Sequence, residues 1–304
     1  MARRRHLLLC FDAFGTLFRP QLPIAEQYAS AARESGLADT ITAAQVQKTF
    51  KAAFASQSKL HPNYGRASGM GAEKWWTNVI RETFHPLTST RPLPPSLAPS
   101  LLHRFSSAQG YALADPALPS LLRAARRSLA ASPAVDKVVV GVITNSDDRV
   151  PSILASLGLR AGPLRAGAAV EGRDGEGPWD IDLHCMSYDV GHAKPDRRIF
   201  DAAAGLAAAA VEDGAAAASW VKVYVGDEFG ADVVGGLRAG WNAVLVGDGG
   251  DVDEGLLLPE GVEGPRELDG EEAWERVFGM EGDKRLVYLK ADTVGTVLRW
   301  LART

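Results

Sequence analysis

The chain has 304 residues, 46% of them hydrophobic, which is enough for one large domain or two smaller ones around a sizeable core. Its net charge of −4 argues against a surface that wraps nucleic acid, and no nucleic-acid partner is expected. Two cysteines, Cys10 and Cys185, are too few for a disulfide framework or a zinc set and read as buried thiols in a reducing compartment.

No apolar run has the length of a membrane span, so no membrane partner is expected. The arginines and short apolar patch of residues 1–10 run straight into Asp12. They read as a basic lip before a strand rather than a targeting peptide. An intracellular protein, cytoplasmic or nuclear with mitochondrial not excluded, is the expectation.

In chain order, Leu7 to Phe11 is an apolar strand that stops at Asp12, and Gly15-Thr16 turns the chain away. Helical spacing follows: Val46, Phe50, Ala53 and Phe54; Trp75, Trp76, Val79, Ile80 and Phe84; Leu97, Leu101, Leu102 and Phe105. This predicts a helical subdomain over 19–112, interrupted by a proline-rich loop at 86–99. A helix over 118–129 precedes the unbroken run Lys137 to Ile143, which predicts a central parallel strand. The later elements are a helix near 150–157, a short strand near 184–188, a helix over 196–205 and a strand over 220–225. A helix over 231–239, a strand over 242–246, an edge strand at 286–289 and a closing helix at 293–301 complete the reading. Alternating strands and helices predict an α/β parallel sheet, built from 1–18 and 113–304, with the helical segment inserted as a second domain. The tracts 165–177 and 207–218 read as surface insertions. Residues 248–283 carry 13 acids against two arginines and read as a solvated or disordered insertion. There is no internal repeat.

Four short motifs share one property: each follows a predicted strand or precedes a predicted helix. They are Asp12 with Gly15 and Thr16, then Thr144-Asn145, then Lys194-Pro195, then Gly226-Asp227-Glu228 with Asp232. Strand ends at one sheet edge gather distant residues into one crevice. Each motif alone is an ordinary turn, loop or helix start; the four in this order resemble the haloacid dehalogenase superfamily. The likeness extends through Phe11–Gly36, the His61-Pro62-Asn63-Tyr64-Gly65 loop and the Trp75-Trp76 helix to the eukaryotic haloacid dehalogenase-like hydrolase domain-containing proteins. It leaves out 248–283.

The resemblance implies a Rossmann-like parallel-sheet core with an α-helical cap inserted between the first two motifs. It implies a nucleophilic carboxylate at Asp12 that is covalently modified. Thr144 and the backbone N–H groups around Asn145 would serve an oxyanion, and Lys194 would balance charge. Mg²⁺ would be held by Asp12, the backbone carbonyl of Phe14 and Asp227, with Glu228 and Asp232 adding direct or water-mediated ligands. A small phosphorylated molecule would be the substrate.

One position departs from the pattern. Family phosphatases carry a second Asp two residues after the nucleophile, which protonates the leaving group; here Phe14 stands there. Three readings stay open: a slow or specialised Mg²⁺-dependent phosphohydrolase; a dehalogenase of the 2-haloacid type; or an inactive member that binds a protein partner. His61, Tyr64, Trp75 and Trp76 shape either a cap pocket or a cap core, with core favoured by their helical spacing. His192 reads as a loop histidine. The Gly-x-Gly-x-x-Gly of dinucleotide loops and the Gly-x-Ser-x-Gly of serine hydrolases are both missing.

Overall fold

The first apolar run becomes the strand around which the main sheet is ordered. In β1 (Arg5–Phe11) every residue from Leu7 to Phe11 is buried. A continuous apolar run, rather than an alternating one, suits a strand covered on both faces. The computed structural model describes residues 4–37, 40–88, 91–168, 179–211, 220–247, 258–267, 277 and 286–303.

After β1 come β2 (Phe18–Pro20), α1 (Ile24–Glu34), α2 (Ala43–Leu60), the single turn α3 (Pro62–Gly65), α4 (Ala72–Phe84), α5 (Leu97–Arg104) and β3 (Tyr111–Leu113). Strands β2 and β3 form a small sheet of their own. Then follow α6 (Leu118–Ala131), β4 (Val135–Thr144), α7 (Val150–Ser156), β5 (Ala161–Arg165), β6 (Ile181–Met186), α8 (Ser187–Val190), α9 (Arg197–Ala210) and β7 (Val221–Gly226). A π-helical segment (Phe229–Val234), α10 (Gly235–Arg238), β8 (Asn242–Val246), β9 (Glu263–Glu267), β10 (Val287–Ala291) and α11 (Val294–Leu301) complete the described elements. The main sheet has the order β5-β6-β4-β1-β7-β8-β10-β9, and every pair in it is parallel. This is the α/β class that the alternation of elements predicts.

The structure corrects four details. Strand β10, expected at the edge, is flanked by β8 and β9. The edge is β9, which lies inside the acidic stretch expected to be solvated or disordered. Its sequence, Glu-Gly-Pro-Arg-Glu, carries no apolar signal, and proline and charge are tolerated where one side of a strand is unpaired. Strand β5 was missed for the same reason, with Gly162 and Pro163 in an edge position. Helix α5 starts at Leu97, within the expected proline-rich loop, because Pro99 falls in its first turn, where a missing N–H is harmless. Finally, the predicted helix over 231–239 is π-helical at 229–234 before α10. The N–H groups of Asp232 and Val233 both reach the Glu228 carbonyl, at 2.9 and 3.4 Å. Apart from 258–267 and Val277, the acidic stretch 248–283 lies outside the described residues. So do 169–177 and 212–218 of the two expected insertions.

The chain divides into two compact units: residues 1–19, 113–146 and 158–304, and residues 20–112 with 147–157. The segment 147–157, which the sequence reading left with the sheet, groups with the helices for a visible reason. Trp76 Nε1 donates to Asp147 Oδ2 at 2.6 Å, and Arg149 grips both Asp147 oxygens at 2.8 and 2.7 Å. The Arg149 guanidinium also lies 4.7 Å from the Trp76 ring centroid and donates to the Phe105 carbonyl. In this helical unit Trp75 is buried against Ala53 and Val79 and donates to the His61 carbonyl at 3.0 Å, while Trp76 is half-buried. Helix α2 opens with a capping box in which Thr42 and Gln45 satisfy each other's backbone N–H groups. Among the described residues no helix is long and apolar enough to cross a membrane.

Strand β6 carries a buried histidine, His184, whose Nε2 has no partner among the described residues. Burial pushes its pKa down to about 4, with Arg165 adding to the effect. The unfolded chain therefore takes up this proton below about pH 6.5, while the folded chain resists it until about pH 4. The contribution to stability is full above the upper value and is lost as pH falls through the window, by roughly 3 kcal/mol in all. His184→Gln should remove that part of the acid limb, which denaturant unfolding of both proteins between pH 7 and 4 will measure.

Candidate active site

Strand register builds the site in the sheet unit. Phe11 stands level with Val142 of β4 and Val225 of β7. Asp12, one residue past β1, is therefore level with Ile143 and Gly226, and Thr144 and Asp227 come one step later on either side. Asp12 is held at this level by its own N–H, which donates to the Val225 carbonyl at 2.8 Å. Asp12 and Thr144 are buried and Asp227 is half-buried.

The turn after Asp12 is closed by backbone bonds. Leu17 and Phe18 N–H both donate to the Ala13 carbonyl, and Gly15 N–H donates to the Phe18 carbonyl. Gly15 has φ +94°, and a Cβ there would overlap the Asp227 carboxylate. Both facts require glycine. Thr16 Oγ1 donates to Asp227 Oδ1 at 2.9 Å, tying the first motif to the last.

Lys194 is buried at the centre of the site. Its Nζ donates to Asp12 Oδ1 and Asp232 Oδ1, both at 2.6 Å, and to the Tyr224 hydroxyl at 2.9 Å. All three ammonium protons thus have acceptors. Tyr224 in turn donates to the Ile143 carbonyl at 2.6 Å. Asn145 clasps the lysine's backbone: its Nδ2 donates to the Lys194 carbonyl at 3.0 Å, and its Oδ1 accepts from Lys194 N–H at 2.6 Å. The amide side chain of Asn145 is thus engaged in positioning Lys194, while Thr144 closes β4 beside Asp12.

Asp12, Asp227 and Asp232 each offer an oxygen within 4.8 Å of the others. Both oxygens of Asp232 already accept: Oδ1 from Lys194 and Oδ2 from the Glu228 N–H at 2.9 Å. Oδ2 of Asp12 and Oδ2 of Asp227 have no side-chain donor among the described residues. The Glu228 side chain is exposed and lies outside this triplet. Phe14 is also exposed, its ring edge-on to Phe18 at 6.0 Å between centroids, and it brings no side-chain ligand.

Electrostatics follow from this crowding. Burial pushes the Asp12 carboxyl up to about 6, with Asp232 and Asp227 adding to the rise and Lys194 opposing it. Burial and Asp232 raise Asp227 and Glu228 as well. Burial alone would lower Lys194, but Asp12 and Asp232 outweigh it and keep the ammonium charged. Three acids and one cation leave the site with surplus negative charge when all are ionised, a setting that favours a divalent cation.

The sequence reading missed Tyr224, because a tyrosine inside an apolar strand carries the signal of a β-former packed in a core. It does pack there, edge-on to Phe200 at 5.1 Å between centroids, while only its hydroxyl serves the site. Removing the central ammonium should be severe. Lys194→Met should lower the unfolding free energy by about 3 kcal/mol, because Asp12 and Asp232 are left buried and facing each other. In an Asp12→Asn background the same change should cost less, as a double-mutant cycle in denaturant will show.

A HAD-hydrolase-like family model matches residues 192–265, which span Lys194, Tyr224, Asp227 and Asp232. An uncharacterized hydrolase of Schizosaccharomyces pombe is 29% identical over 236 residues, covering 78% of this chain and 88% of that one. Haloacid dehalogenase-like hydrolase domain-containing protein 3 of Mus musculus is 30% identical over 260 residues, covering 84% of this chain and 88% of its own. Among solved structures, a 2-haloacid dehalogenase from Pseudomonas syringae aligns over 98% of this chain and 99% of its own, at 18% identity and a TM-score of 0.49. Three motifs at the ends of parallel strands, a fourth just before α9, and a relative 30% identical over 84% of this chain agree: the chain belongs to the haloacid dehalogenase-like hydrolase family.

Proposed function

We propose that this protein is a Mg²⁺-dependent phosphohydrolase in which Asp12 is the covalent nucleophile and a small phosphorylated molecule is the substrate. The observation that carries this reading is the Lys194 ammonium held between Asp12 and Asp232, with Asp227 beside them. It fixes one oxygen of Asp12 and leaves Oδ2 to act, while supplying positive charge where a phosphoryl group would add negative charge.

The donor set suits Mg²⁺, since it is all oxygen and carboxylate-rich. Asp12 Oδ1, Asp227 Oδ2 and the Phe14 carbonyl are the candidate direct ligands, with Asp12 Oδ2 kept for attack. Asp232, with both oxygens engaged, and the exposed Glu228 fit a water-mediated role. When bound, the cation neutralises charge on the phosphoryl oxygens. Thr16 holds the second carboxylate, Asn145 and Tyr224 hold the lysine, and Thr144 stands at the end of β4 as a donor for the same oxygens.

This reading expects phosphate release from p-nitrophenyl phosphate that requires added Mg²⁺, stops with chelator and is lost in Asp12→Asn. Halide release from a 2-haloacid without added cation would overturn it. Phe14 favours a second reading, an inactive member retained as a binding protein, because its phenyl ring can neither give nor take a proton. Phe14→Asp separates the two. Restoring an acid beside an otherwise complete site should raise phosphatase kcat by about 10²-fold or more, the usual yield of general acid–base catalysis. A folded, cation-binding Phe14→Asp variant that stays inert would favour the binding protein.

A further inference from the structure

The helical unit has a cavity of its own. Tyr28 of α1, Phe50 of α2, Ile80 of α4, Leu101 of α5, Tyr111 of β3 and Arg149 line it, and all six belong to that unit. Its volume is about 30 Å³. One water needs about 10–15 Å³ of such space, so two or three waters fit, or one organic molecule of about six heavy atoms. Tyr28 is 2% exposed, and its hydroxyl has no hydrogen-bond partner among the described residues. The ring is clamped by Phe50, Phe84 and Phe105, at 5.1, 6.0 and 5.5 Å between centroids, so the hydroxyl has little freedom to seek one elsewhere. A guanidinium carries five N–H groups. In Arg149 two of them go to Asp147 and one to the Phe105 carbonyl, which leaves two without an acceptor among the described residues.

Three properties define what this cavity takes. Its polar groups are donors: burial pushes the Tyr28 and Tyr111 hydroxyls up, the latter to about 12, against the pull of Arg149, so both keep their protons. Its charge is already balanced, because Asp147 faces Arg149 with both oxygens. An entering anion would bring an uncompensated charge into a buried place, whereas a neutral acceptor would not. Its other walls, Phe50, Ile80 and Leu101, are hydrocarbon. A buried water needs two to four polar partners, so one placed against those walls is poorly held. One acceptor oxygen on an apolar body meets all three conditions, and it satisfies a buried donor that is costly to leave unpaired. We propose that this cavity is a binding site for a small neutral carbonyl compound, whose oxygen accepts from the Tyr28 hydroxyl and from Arg149 while its hydrocarbon part lies on Phe50, Ile80 and Leu101. The site is separate from the phosphohydrolase reading and does not rest on it.

The test is a titration of the full chain followed by nitrogen–proton NMR. Trp76 also lines the cavity, so its indole N–H signal, assigned with Trp76→Phe, reports on occupancy. Three probes of similar size separate the chemistry: cyclopentanone, methylenecyclopentane, which has the same shape without the oxygen, and cyclobutanecarboxylate, which carries the charge. Cyclopentanone should shift the indole signal saturably. The hydrocarbon and the carboxylate should each bind about tenfold more weakly, the first for want of an acceptor and the second for its charge. Tyr28→Phe keeps the ring and removes the donor. It should weaken cyclopentanone about fivefold, leave the hydrocarbon unchanged and so narrow the gap between them. Should that variant not fold, the three probes on the wild-type protein decide alone. Equal binding of ketone and hydrocarbon overturns the proposal, as does tighter binding of the carboxylate or a ketone affinity that Tyr28→Phe does not change. An indole signal that no probe moves overturns it too, and leaves the cavity to water.

Discussion

A single buried ammonium sets the terms for everything around it. Lys194 has three protons and three acceptors, and the acceptors come from three different elements: the end of β1, the body of β7 and the π-helical segment. Without the lysine, Asp12 and Asp232 would be like charges in a low-dielectric place; without them, a lysine so placed would lose its proton. The loop that carries Lys194 is fastened at its backbone by Asn145, at the end of β4. Three neighbouring strands are thus joined through one residue, and among the described residues one carboxylate oxygen of Asp12 has no side-chain donor.

The wide turn of the π-helical segment belongs to the same arrangement. It brings Asp232 back over Gly226, where a Cβ would collide with the carboxylate, and lets the Glu228 N–H close on the second oxygen. Single π turns often mark functional places because they redirect one side chain at the expense of regular hydrogen bonding. Here the redirected side chain is an acceptor for Lys194, so Asp232 is less available as a metal ligand than its sequence position implies.

What was legible in the sequence is what has a local cause. Leu7 to Phe11 and Val138 to Ile143 are unbroken apolar runs, and only a doubly covered strand accepts such a run. Asp12, Thr144, Asn145, Lys194 and Asp227 are polar residues at the ends of those runs or just before a helix, so position alone nominated them. What was not legible depends on partners far along the chain. Nothing near Tyr224 announces a lysine thirty residues earlier. Nothing near Asp147 announces the indole of Trp76 or explains why 147–157 leaves the sheet unit. Strands β5 and β9 escaped because edge strands with proline and glycine owe their shape to a neighbour rather than to their own residues. Position 14 was legible as a departure, and the structure adds why the fold tolerates it: the turn is held by the backbone of its neighbours, so its side chain can change chemistry without disturbing them.

The placement of β1 between β4 and β7 has a consequence for synthesis. Synthesis delivers the acid at position 12 first, and the strands that flank it and the cation that neutralises it follow more than a hundred residues later. Until β7 emerges, the buried apolar strand β1 has no second edge to pair with, and closing so long a loop is slow. The growing chain must therefore shelter β1 by other means, and assembly of the cluster around Lys194 is a late event in folding.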